Sequence, residues 1–104
     1  MKYKATRKAV KEGYAHVFYT GYCGLTEALS NIAPVAYTTG ANGWNADVYD
    51  FGPYAIVTGY RPFGDIRLPE DMRSALNTVC AGKSAMERRD IVFKALQGLC
   101  IKHA

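Results

Sequence analysis

Cys23 and His16 are the two residues of this chain with the chemistry of a nucleophile and its base. A thiolate attacks an electrophile when a neighbouring base takes its proton and a third group orients that base. Gly21-Tyr22-Cys23-Gly24 forms a glycine-flanked elbow around the thiol. The spacing does not bring His16 to it, because the histidine falls on a predicted strand and the cysteine just past that strand's end. We therefore read Cys23 as a small thiol filling a strand–helix corner and expect no enzymatic activity. His103 is penultimate and expected to fray. Metal chemistry has still less to draw on. Two His and three Cys (Cys23, Cys80, Cys100) are scattered without ligand spacing, so no metal and no cofactor are expected. Asp47 and Asp50 fall on opposite faces of one strand, where they can neither act as an acid–base couple nor share a cation. Gly82-Lys83-Ser84 looks like the end of a phosphate-binding loop, but it follows a helix rather than a strand and lacks the upstream glycine.

Aromatic rings are the better lead. The stretch from Pro34 to Gly64 holds the only Trp and four of the eight Tyr. Alternation divides it. On the strand from Trp44 to Phe51, Trp44, Ala46 and Val48 share an apolar side expected to face the helices. Asn45, Asp47, Tyr49 and Phe51 share a wetter one. On the strand from Tyr54 to Tyr60, small Ala55, Val57 and Gly59 suit close packing under a helix, which leaves Tyr54, Ile56, Thr58 and Tyr60 with the wet side. The candidate binding residues are Tyr49, Tyr54, Tyr60, Arg61 and Asp47. Three readings stay open for the rings. They can be core covered by the N-terminal helix, anchors of a protein interface, or a platform that stacks bases. Asp47 and a single Arg61 make a poor setting for the last.

The elements that position these residues follow from periodicity. Residues 5–12 form two helical turns closed by Gly13. Tyr14 to Tyr22 is rich in aromatic and β-branched residues and reads as a strand. Leu25, Ala28, Leu29 and Ile32 make one apolar stripe, predicting a short helix that Pro34 ends. Val35–Thr39, Trp44–Phe51 and Tyr54–Tyr60 are strands separated by Gly40–Gly43 and by Gly52-Pro53, connections short enough to imply antiparallel neighbours. Phe63–Leu68 reads as a loop. Pro69, Glu70 and Asp71 start a helix that Gly82 closes. Ser84-Ala85-Met86-Glu87 is a capping box for the last helix. That helix carries Ile91, Val92, Phe93, Ala95, Leu96, Leu99 and Cys100, an apolar surface broad enough to cross the sheet and leave area for another helix or a second subunit. The fold class expected is α+β: an antiparallel sheet of three to four strands with helices on one face, in the order α-β-α-β-β-β-α-α, as a single domain over 1–104.

Composition sets the outer bounds. The chain is 49% hydrophobic and 21% charged, with a net charge of +4, which fits an ordered globular protein rather than a disordered one. Residues 1–12 and 83–104 are basic, whereas 13–82 carries a net charge of −3. No run of like charge is long enough to mark an interaction tail. The odd cysteine count argues against a disulfide framework. With no signal-like or membrane-length apolar run, a cytoplasmic location with reduced thiols and no membrane partner is expected.

The segment Tyr37-Thr-Thr-Gly-Ala-Asn-Gly-Trp44-Asn-Ala-Asp-Val-Tyr49, the following Ile56-Val-Thr-Gly-Tyr-Arg61, and the earlier Gly21-Tyr-Cys23 with Leu25 carry a resemblance. It covers about the middle half of the chain. The protein resembles small bacterial proteins of phages and other mobile elements, a group without an assigned activity. The resemblance implies a context in which accessory proteins bind host proteins or nucleic acid, including as inhibitors of defence systems. The function expected is thus a small non-enzymatic binding protein acting on a partner protein, as a homodimer. The alternative is a nucleic-acid binder using the basic ends and the tyrosine face.

Overall fold

The computed structural model describes residues 2–21, 24–39, 45–59 and 66–103. In chain order these form β1 (Tyr3–Lys4), α1 (Arg7–Gly13), β2 (His16–Tyr19), β3 (Ala36–Thr39), β4 (Asn45–Phe51), β5 (Tyr54–Thr58), β6 (Ile66–Arg67), α2 (Glu70–Cys80) and α3 (Ala85–His103). The α+β class holds. The sheet is larger than expected and of another kind, with six strands in the order β1-β3-β4-β5-β2-β6. The two tight connections do give antiparallel pairs, β3 with β4 and β4 with β5. The remaining neighbours are parallel: β1 beside β3, and β2 between β5 and β6. The expected antiparallel sheet of three to four strands is therefore corrected to a mixed sheet of six. Parallel neighbours need long crossovers, so tight-turn chemistry reports only the antiparallel pairs. β1 and β6 have two residues each, too few to show alternation, and β6 lies in the stretch expected to be a loop.

The crossovers also cover both faces of the sheet, not one. On the first face Val10 of α1 packs with Val17, Ala36, Ala46, Val48, Ala55 and Val57. On the second, Phe18, Phe51, Tyr54 and Ile56 pack with Leu76 and Cys80 of α2 and with Val92, Leu96 and Leu99 of α3. The aromatic side expected to be wet is thus largely core, and its cover is α3 rather than the N-terminal helix. Alternation assigned the described residues to two sides correctly, Trp44 and Tyr60 lying outside them; it could not say that a helix lies on each. Parallel strands buried on both faces lose the apolar–polar contrast that marks a solvent side.

The stripe Leu25, Ala28, Leu29 and Ile32 is buried as expected, but no regular helix forms there. One bond spans four residues, Leu29 N to Leu25 O at 2.9 Å, and then the chain tightens to Ser30 N–Glu27 O at 3.2 Å and Ile32 N–Leu29 O at 3.0 Å. Asn31 takes a positive φ of 63°, a conformation that stops a helix. The later helix signals perform largely as read, except that Pro69, expected as the first helical residue, caps α2 from outside it. Pro69 precedes α2 in an extended conformation, Gly82 turns the chain with φ 74°, and Ser84 and Glu87 exchange capping bonds. Among the described residues no helix is long and apolar enough to cross a membrane.

Candidate functional site

Of the candidate residues, Asp47 and Tyr49 come together, Tyr54 sits apart from them in the core, and Tyr60 and Arg61 lie outside the described residues. Tyr54 packs edge-to-face with Phe18 at 6.1 Å and lies tilted at 37° to Phe93 of α3 at 5.6 Å. Burial raises its pKa, and its hydroxyl bonds the Cys100 sulfur. It is a core ring with a satisfied hydroxyl.

Asp47 and Tyr49 project from β4 on the α3 side of the sheet, beyond the part that α3 fills. The register β3/β4 sets Tyr37 opposite Asp47, and places Tyr49 at the diagonal position, within reach of long side chains. Lys2, at the outer edge by β1, pairs with the Asp47 carboxylate and lies 5.6 Å from the centre of the Tyr37 ring. Tyr49 is partly buried against the larger core. Its pKa is raised by burial first and by Asp47 second, while Lys2 opposes both. The result is a half-open cluster of two tyrosines around a neutralised ion pair. Sequence reading missed Tyr37 and Lys2. Tyr37 was within reach: pairing the strands across the Gly40–Gly43 turn puts it opposite Asp47. Lys2 depends on the parallel β1–β3 pairing, which has no local signal.

On the opposite face, a cleft of about 540 Å³ opens beneath α1. Ala5, Ala9, Val10, Ala36 and Val48 give it an apolar part, and Tyr3, Lys4, Thr6, Tyr14 and Asp50 a polar one. The small side chains explain the space: α1 has seven residues and buries only Val10 on this face. The Tyr14 hydroxyl donates to the Asp50 carboxylate, and its pKa is pushed up to about 12, by burial first, then by the Asp50 charge and that hydrogen bond.

Cys23 lies outside the described residues, and His16 faces Tyr54 at 6.2 Å between ring centres. The chain on either side of Cys23 is held by α2: Arg73 Nη1 donates to Thr20 O at 2.8 Å and Asn77 Nδ2 to Gly24 O at 3.2 Å, while Asn77 Oδ1 accepts from Ala28 N at 3.0 Å. Cys80 is fully buried and burial raises its pKa. Burial also raises that of Cys100, against a lowering from the Tyr54 bond. Both are held as thiols near neutrality. Among the described residues no three His, Cys, Asp or Glu side chains are grouped to hold a metal. No family model, curated protein or solved structure matches the chain.

Proposed function

We propose that this is a small non-enzymatic binding protein whose partner is another protein, docked on the half-open cluster of Lys2, Tyr37, Asp47 and Tyr49. The observation that carries the reading is the pairing of Lys2 with Asp47 beside two tyrosine rings. Tyrosines offer large contact area at low entropic cost, which suits a protein interface. A neutralised ion pair does not attract phosphate. Three of the basic side chains near the C-terminal end that a nucleic-acid reading draws on are also engaged elsewhere. Arg88 is buried on two carbonyl oxygens, Arg89 donates to the Asp50 carbonyl, and Lys94 pairs with Asp90. The resemblance to proteins of phages and mobile elements supports a host protein as the partner and the cytoplasm as the place of action, with inhibition of a defence system as the sharper form.

The test is a pull-down from host lysate with wild type and a Tyr37→Ala, Tyr49→Ala variant of matched thermal stability. The expected result is that specific partners are lost with the variant. Equal recovery of the same proteins by both would falsify the docking surface. A low-salt gel shift with single-stranded DNA and RNA addresses the alternative. Salt-sensitive retention that survives the tyrosine substitutions would favour the nucleic-acid reading instead.

A further inference from the structure

We propose that the cleft beneath α1 is a binding site for a small organic cation with an apolar or aromatic body, held by the Asp50 carboxylate between the Tyr3 and Tyr14 rings. The cleft belongs to the face opposite the tyrosine cluster, so it stands apart from the protein-docking surface. Its volume of about 540 Å³ falls in the usual range of small-molecule sites. Ala5, Ala9, Val10, Ala36 and Val48 line part of it, which suits an apolar body.

Charge decides the class of guest. Asp50 lies on the same side of β4 as Val48 and Ala46, facing the cleft. Tyr14 satisfies one acceptor position of its carboxylate, and among the described residues no cation is paired with it. Lys4 lines the cleft, but strand alternation sends its side chain to the other face with Lys2, whose ammonium meets Asp47 there. The basic character of the N-terminal segment therefore does not reach into the cleft through β1. Gly13 brings the carbonyl end of α1 to the rim, which adds partial negative charge. Two tyrosine rings beside a carboxylate make a setting in which a cation gains from both the charge and the ring faces. An anion would meet the Asp50 carboxylate and the carbonyl end of α1.

Benzylammonium is a suitable probe, with benzyl alcohol and benzoate as neutral and anionic isosteres, read by amide chemical shifts of the intact chain. The expected result is a saturable shift at Ala9, Val10, Gly13 and Asp50 with benzylammonium, and much weaker effects with the two isosteres. Asp50→Asn keeps an acceptor for Tyr14, so the fold is retained, and it is expected to weaken benzylammonium about tenfold, the scale of one lost ionic contact. Benzyl alcohol binding as well as benzylammonium, or Asp50→Asn leaving the affinity unchanged, overturns the proposal, as does the lack of any saturable shift.

Discussion

Arg88 on α3 donates its Nε to the carbonyl oxygen of Cys80, the last residue of α2, at 3.0 Å. The same guanidinium donates Nη1 to Ser30 O at 3.0 Å. One buried side chain thus ties the α2–α3 corner to the irregular segment beneath it. A cation is well placed there, because a helix ends in unsatisfied carbonyls that carry partial negative charge. Arg88→Ala takes this donor from the partly buried Ser30 carbonyl and leaves the Cys80 carbonyl with Lys83 N at 3.1 Å as its partner, and it is expected to cost about 2 kcal/mol in urea unfolding. Arg88→Lys keeps the charge but cannot fork to both carbonyls, so it is expected to fall between wild type and alanine. A loss from Arg88→Ala no larger than that of a surface arginine would refute the tie.

Asn77 is the second tie to this segment. Its amide donates to Gly24 O and accepts from Ala28 N, which only an amide side chain of this length does. Asn77→Asp keeps the acceptor and loses the donor, and it sets a carboxylate against a carbonyl. We expect Asn77→Ala to cost about 2 kcal/mol and Asn77→Asp to cost at least as much above its pKa. Amide hydrogen exchange of Ala28 tests the mechanism directly. It is expected to speed up in Asn77→Ala and to stay slow in Asn77→Asp.

These two ties also show where sequence reading stops. The stripe Leu25, Ala28, Leu29 and Ile32 was legible because burial requires apolar residues at that spacing, whatever the backbone does. The helix inferred from it was not realised, because Asn77 and Arg88 supply from other elements the partners that helix bonds would otherwise provide. The β4–β5 hairpin was legible through Gly52-Pro53, the β3–β4 pairing through a short connection whose residues 40–44 lie outside the described ones, and the capping box at Ser84 through its spacing. The pairing of β2 with β5 was not, since a parallel register is set by packing at a distance. For the same reason Asp47 and Tyr49 were found as candidates, while Tyr14 and Asp50, which meet under α1, went unremarked as a pair.

Two glycines separate the demands of packing from those of the backbone. A Cβ on Gly59 would lie 2.7 Å from the Cβ of Ala46 and 3.1 Å from its Cα. Strand backbone has no room to yield, so Gly59→Ala is expected to cost about 3 kcal/mol. Gly98, inside α3, has no neighbour within 4 Å of an added Cβ. There the methyl only restricts the unfolded chain and improves helix propensity, and Gly98→Ala is expected to gain about 1 kcal/mol. Thermal unfolding of the two variants checks both signs, and a stabilised Gly59→Ala would contradict the close approach of β4 and the end of β5.

Tyr14 gives the fold an alkaline dependence. Its pKa in the folded protein is pushed up to about 12 from 10.0. A folded pKa above the unfolded one means that the fold favours the protonated phenol. The contribution to stability is fully present below pH 10, and it is lost as pH rises from 10.0 towards about 12. Wild type is therefore expected to lose stability across that window more steeply than Tyr14→Phe, which has no proton to lose at this site. Other raised tyrosines, Tyr49 and Tyr54, act in the same direction, so the difference between the two proteins is the quantity to measure. Burial is the largest cause of the shift and Asp50 the next. Asp50→Asn is accordingly expected to bring the Tyr14 ionisation only part of the way back towards its ordinary value, read by phenolate absorbance against the Tyr14→Phe baseline. Full return to the ordinary value would make the Asp50 contact, rather than burial beneath α1, the dominant cause. Parallel stability profiles for wild type and Tyr14→Phe would show that the phenol is not held neutral by the fold at all.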